Sequence, residues 1–192
     1  GEDEVLKQQK MKKVSLYTVL SGYKIAYEHE AKSTGLIYIH LNETINEFPD
    51  VLLVDKQGKH HLIDLDNTRF VIQLRVEELN SVLKNLLENQ NLKVAKTRLL
   101  QIIDLYLSYY QKGLFDLGVG ILDNNGFIGD QPIHFDVSKM TMDEQVLKPE
   151  FQKERLKVMT KKIDLWLLKN YPKYRQDIMF TLNNKINEVT GL

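Results

Sequence analysis

Cysteine is absent from the 192 residues of this chain, which excludes disulfides, thiolate catalysis and cysteine-held zinc or iron–sulfur centres. An excess of charge of one sign is absent too. The 26 basic and 26 acidic side chains cancel, so no global positive field draws the chain to nucleic acid or to an anionic membrane. No apolar run approaches the roughly 20 residues that span a bilayer, and the charged opening GEDEVLKQQKMKK is followed by no signal core. Four prolines and ten glycines are scattered without forming a low-complexity tract. These absences point to a cytoplasmic protein or, alternatively, to a bacterial effector secreted into a host cell. Glycine in place of an initial methionine points to a processed or excised chain with an upstream portion missing.

What is present fits one compact α+β unit. Hydrophobic residues make up 43% and charged residues 27%, the composition of a folded domain. From Glu4 to Lys32 the pattern is helical, with Leu16, Leu20, Tyr23 and Tyr27 on one face and Thr34-Gly35 as the stop. Leu36 to Asn42 alternates and is rich in β-formers, so it reads as a strand. The stretch PDVLLVDKQGKHHLIDLDNTRFVIQL reads as two or three more strands of an antiparallel sheet, turning at Lys56-Gln57-Gly58-Lys59.

After Arg75 the character becomes helical. Val82, Leu83, Leu86 and Leu87 form the expected buried stripe of a first helix, and Leu92 to Gln111 keeps a 3.6-residue period in a longer one. Two more helices are expected at Glu150 to Lys169 and Lys173 to Thr190, with Pro172 placed to start the second. No internal repeat occurs. Strands early and helices late argue for α+β segregation, with a cleft between the layers as the usual place for a ligand.

The segment Gly113 to Met140, GLFDLGVGILDNNGFIGDQPIHFDVSKM, departs from ordinary packing. It sets Asp116, Asp123, Asn124, Asn125 and Asp136 among glycines and short apolar runs, where unpaired polar groups are costly to bury. Its second half reads as a hairpin turning at Gly129-Asp130, with Ile133, Phe135 and Val137 alternating against His134 and Asp136. Asp136 would then stand at a strand end, aimed into a cleft. Hard cations such as Mg²⁺ take carboxylate and amide oxygens, and a second aspartate nearby would orient a hydroxyl for phosphoryl transfer. The competing explanation is that Asp-Asn-Asn-Gly is a turn whose side chains satisfy their own backbone.

The order helix, KGLFD, Asn-bearing loop, then hairpin closing on IHFDVSK resembles the catalytic and metal-binding segments of the protein-kinase-like fold, with its lipid-kinase and atypical branches. The resemblance implies Asp116 as the catalytic aspartate that accepts the substrate hydroxyl proton. It implies Asn124, or Asn125, and Asp136 as metal ligands, with ATP and Mg²⁺ as cofactors. The nucleotide would lie between the strands ending near Gln73, a cofactor-binding residue, and the Asp136 hairpin. Residues 1–75 would form an N-lobe-like helix and sheet, and residues 76–192 a helical C-lobe with a short hairpin. SGYKIAYEHEAKSTGLIYIHLN, LLVDKQGKHHLIDLDNTRFVIQ and NNGFIGDQPIHFDVSKM are also similar to uncharacterised chlamydial proteins.

The chain departs from that family in four places. Leu114-Phe115 precede Asp116 where the family has His-Arg, Asn124 stands farther from Asp116, Val137-Ser138 replace the glycine after Asp136, and no glycine-rich loop or nucleotide-clamping lysine is present. Glu28 or Glu30 would be that lysine's partner. The expectation is an atypical kinase or pseudokinase with weak or absent transfer. The alternative is a non-catalytic module presenting a surface to a protein partner.

Other polar groups carry weaker signals. His60-His61 with Asp64 and Asp66 reads as a solvated hairpin edge, because adjacent strand residues face opposite ways. His40 and His134 read as hydrogen-bonded core or cleft histidines. The basic C-terminal stretch reads as core packing with a solvated face rather than a membrane-surface helix.

Overall fold

In the computed structural model the chain is described over residues 2–118 and 120–191, with burial and side-chain contacts given for residues 17–188 except Val119. It is an α+β protein in which helix α1 (Glu2–Thr34) feeds strand β1 (Leu36–His40). Strands β2 (Val51–Val54), β3 (His60–Ile63) and β4 (Phe70–Gln73) follow, and then a two-residue strand β5 (Glu77–Glu78). Helices α2 (Leu79–Glu88) and α3 (Leu92–Tyr110) lead to β6 (Leu114–Asp116), β7 (Asn125–Ile128), β8 (Gln131–His134) and β9 (Met140–Met142). A 3₁₀ turn at Glu144–Leu147 precedes α4 (Pro149–Asn170) and α5 (Pro172–Thr190). Proline at the first turn starts each of these last two helices, where no donor is wanted.

The early strands differ from the single sheet expected of them. β1 pairs with β4 and β2 pairs with β3, both antiparallel, as two separate ribbons. The β2–β3 hairpin is therefore an excursion between the paired β1 and β4. Its turn is held by Asp55, whose Oδ1 accepts the N–H groups of Gln57 and Lys59 at 2.9 Å each. His60 is exposed and His61 bonds Asp55 at 2.9 Å, so the pair is the hairpin edge expected of it.

The core sits among the helices. Leu99, Ile102, Ile103 and Tyr110 of α3 meet Leu156, Met159, Ile163 and Leu167 of α4 and Ile178, Leu182 and Ile186 of α5, all buried. The expected stripe on α2 holds for Val82, Leu83 and Leu87, but Leu79 is buried where Leu86 is only half-covered. On α1, Ala26 is buried while Leu20, Tyr23 and Tyr27 are half-buried; the side chain of Leu16 lies outside the described residues. Among the described residues no helix is long and apolar enough to cross a membrane.

Candidate functional site

Strand β6 leaves α3 through the left-handed Gly113 and pairs with β9, which sets Asp116 opposite Met140. Between those partners the chain makes the β7–β8 hairpin, turning at Gly129 (φ 60°), and sets Asn125 opposite His134. Short β5 joins the hairpin's outer edge, with Glu77 opposite Phe127 and Glu78 opposite Gly126. The strand ends converge on one polar core.

Asp116 lies in that core, only 4% exposed. Its Oδ1 accepts the Gly118 N–H at 2.9 Å, and its Oδ2 is 3.3 Å from His134 Nε2. His134 is fully buried; its approach to Asp116 is off the line of a hydrogen bond, and both ring nitrogens lack a partner. Its ring packs against Tyr106 and Tyr109 at centroid distances of 5.2 and 6.0 Å. Burial pushes the Tyr110 phenol up to about 12 despite the nearby Arg155. Burial, with a smaller contribution from the Asp116 charge, also raises Tyr106 and Tyr109, so these phenols stay protonated at neutral pH.

Arg155 of α4 closes the other side. Its Nη2 donates to the carbonyls of Asp116 at 2.7 Å and Gly118 at 3.1 Å. The loop so anchored covers two of the polar side chains: a Cβ on Gly118 would lie 2.7 Å from Asp116 Oδ2, and one on Gly120 2.9 Å from Asn124 Oδ1. Asp116 is thus a buried charge enclosed by its own loop. A base that must reach an acceptor hydroxyl needs it within hydrogen-bond distance.

Asn124 is half-buried, with its carbonyl accepting from Phe135 N–H at 2.9 Å. Asp136 is also half-buried, two residues beyond β8, and its Oδ1 accepts from Ser138 N–H at 3.3 Å. Burial raises the Tyr23 phenol of α1, with a smaller contribution from the Asp136 charge, and α1 packs closely on this segment, where a Cβ on Gly22 would lie 2.6 Å from the Val137 carbonyl oxygen. Among the described residues no group of three or more histidine, aspartate or glutamate side chains is arranged to hold a metal. Asn124 and Asp136 do offer the hard oxygen donors that Mg²⁺ takes.

Gln73 has a structural assignment. Its Nε2 donates to the carbonyls of Thr34 at 2.7 Å and Phe135 at 2.9 Å, tying the end of α1 to the hairpin exit. Gln73→Leu should cost about 1–3 kcal/mol, since two partly buried carbonyls lose their donor; urea unfolding measures it, and an unchanged midpoint would refute the tie. The cavity beside it, lined by Leu74, Val76, Glu78 and Phe135, is about 100 Å³. A second cavity, of about 590 Å³ and lined by Arg75, Val76, Glu77, Ser81, Phe127 and Gly129, adjoins it between the crossover and the β7–β8 hairpin, within the roughly 300–1,000 Å³ of cofactor pockets.

Three participants escape a reading by spacing. Asn125, assigned to the turn with Asp123, is instead fully buried in β7, donating to Tyr106 Oη and the Ile121 carbonyl at 3.0 Å each. His134, expected to be hydrogen-bonded, is not. Glu30 pairs with Lys112, just past α3 and not on an early strand, and also accepts from Ser33 Oγ at 2.6 Å. No protein-family model matches the chain, and neither a curated protein nor a solved structure matches it.

Proposed function

We propose that this chain is a kinase-like module without efficient phosphoryl transfer, a pseudokinase, which holds Mg²⁺ through Asn124 and Asp136. The kinase-like part is supported by order: α3 runs into the strand bearing Asp116, a loop bearing Asn124 follows, and the β7–β8 hairpin delivers Asp136 before β9 returns to β6. One observation carries the loss of transfer. Asp116, the residue that would orient an acceptor hydroxyl, is 4% exposed beneath the Gly118 loop and faces His134. Asn124 and Asp136 would supply an amide and a carboxylate oxygen, and Mg²⁺ so held would contribute charge neutralisation for a phosphate group.

A thermal-shift titration tests both halves. Millimolar MgCl₂ should raise the melting temperature by about 1–2 °C, as expected for a ligand near its Kd, and Asp136→Asn should abolish the rise. Adding ATP should give no further rise and no phosphate release. An undiminished response in Asp136→Asn would remove the metal assignment. A further rise of several degrees with ATP, or measurable turnover, would overturn the pseudokinase reading.

A further inference from the structure

The β2–β3 ribbon stands apart from the polar core and from the nucleotide question. Its two strands pair only with one another, so each has an edge of backbone N–H and C=O groups without a strand partner among the described residues. Such an edge is a template for a further strand. One face of the ribbon is apolar and open to water. Leu52 and Leu62 are cross-strand partners, 56% and 68% exposed, and Val54 beside them is 59% exposed. Contiguous exposed apolar surface of this kind marks an interaction site more often than does a single exposed leucine.

Charge at one end of the ribbon narrows the occupant. Asp50 immediately precedes β2 and Asp64 immediately follows β3, so both sit at the end away from the turn. With Glu43 and Asp66 they line a cavity of about 660 Å³ that has no lysine or arginine in its wall. The Asp66 carboxylate accepts from Thr44 Oγ1 and from the Glu47 N–H, and Thr44 chiefly holds it below the usual carboxylate range, so it stays charged at neutral pH. The opposite end carries Lys56 and Lys59. A partner with one polarity of charge therefore meets the ribbon in one direction.

We propose that the β2–β3 ribbon binds an extended segment of a partner protein as a third strand. Alternating apolar residues of that segment cover Leu52, Val54 and Leu62, and its lysine or arginine end enters the Glu43–Asp50–Asp64–Asp66 basin. Backbone pairing supplies attachment and the alternate side chains supply selection, as in other strand additions. The basin fixes direction and steers association, so binding weakens with salt.

The test uses the full chain and a fluorescein-labelled peptide of Val-Thr repeats ending in three lysines, read by fluorescence anisotropy. The control peptide ends in three glutamates. Saturable binding of the lysine peptide is expected, with binding of the glutamate peptide at least tenfold weaker. Asp50→Asn with Asp64→Asn, and separately Leu52→Ser with Leu62→Ser, should each weaken the lysine peptide about tenfold. The distant exposed pair Glu144→Gln with Glu154→Gln should leave it unchanged. These side chains are exposed, so unchanged circular dichroism establishes that the variants fold. Equal affinity for both peptides, binding of neither, or ribbon variants that bind like the parent would overturn the proposal. So would a sedimenting dimer that Leu52→Ser with Leu62→Ser dissociates, since a second copy would then be the occupant.

Discussion

Gly126→Ala should lower the unfolding free energy by about 3 kcal/mol or more, the upper end for overpacking, because the obstacle is backbone. A Cβ at this position in β7 would overlap the Glu77 carbonyl oxygen and lie 2.6 Å from Val76 Cγ1 and 2.8 Å from the Glu77 carbonyl carbon. The valine side chain can turn away, but the Glu77 peptide is fixed by its ladder to Phe127 and by the start of α2 immediately after it. Relief requires β5 to peel from β7, which breaks the short ladder and the bond from Asn80 N–H to the Leu122 carbonyl at 3.3 Å. At about 2–4 °C per kcal/mol for a chain of this size, the melting temperature should fall by roughly 6–12 °C. Val76→Ala added to Gly126→Ala should recover little, since it removes the lesser obstacle. A parental melting temperature for Gly126→Ala would mean that the crossover is not pressed against the hairpin.

The same close approach bears on function. The segment between β4 and α2 borders the hairpin through the β5–β7 ladder. Here the backbone of Glu77 lies directly on Gly126. The burial of Asp116 is why the proposed role excludes efficient transfer. The contact at Gly126 makes Gly126→Ala informative in a second way, because a variant that survives with β5 displaced would have an opened cleft, and its response to ATP would reveal that.

How far the sequence foretells this arrangement depends on the length of each element. Helix α3 is legible because Leu92, Ala95, Leu99, Ile102, Ile103, Tyr106 and Tyr110 repeat at helical spacing over about five turns, so many residues report one period. Strands β6 and β9 have three residues each, and Leu114, Phe115 and Asp116 are all buried, so no alternation exists to detect. The same shortness misdirects the site. Alternation turns Ile133 and His134 to opposite faces, but both faces are covered, Ile133 beside Gly35 just past the end of α1 and His134 against Tyr106 and Tyr109 of α3, so both are buried. Asn125 reads as a turn residue because Asn-Gly favours turns, yet its β7 position is set by pairing with His134 across the sheet, a long-range contact that local composition does not encode. Asp116, expected on a loop, is the last residue of β6, and Asp136, expected at a strand end, lies two residues beyond β8. Their different surroundings, a closed tyrosine–histidine core for one and a half-open niche beside Tyr23 for the other, come from tertiary packing.

Asp116→Ala separates a buried structural carboxylate from an open catalytic one, and the loss expected is about 3 kcal/mol, the upper end for leaving buried polar groups without their partner. Three consequences add. The Gly118 N–H loses its acceptor, His134 loses the carboxylate beside it while enclosed by Tyr106 and Tyr109, and Arg155 anchors a loop that no longer has a side chain beneath it. Asp116→Asn keeps the shape and an oxygen for the Gly118 N–H, so it should lose only about 1–2 kcal/mol. Combining Asp116→Ala with His134→Ala should cost less than the sum of the two single losses by 1 kcal/mol or more, because the two side chains share one contact. Denaturant unfolding of the parent and the four variants measures all of this. An aspartate serving as an accessible base makes the opposite prediction, since removing an exposed polar side chain changes stability by no more than about 0.5 kcal/mol. A stability loss of that small size in Asp116→Ala would return Asp116 to the solvent and reopen the case for transfer. A loss of several kcal/mol with strong coupling to His134 assigns its charge to holding β6, β8 and the Gly118 loop together.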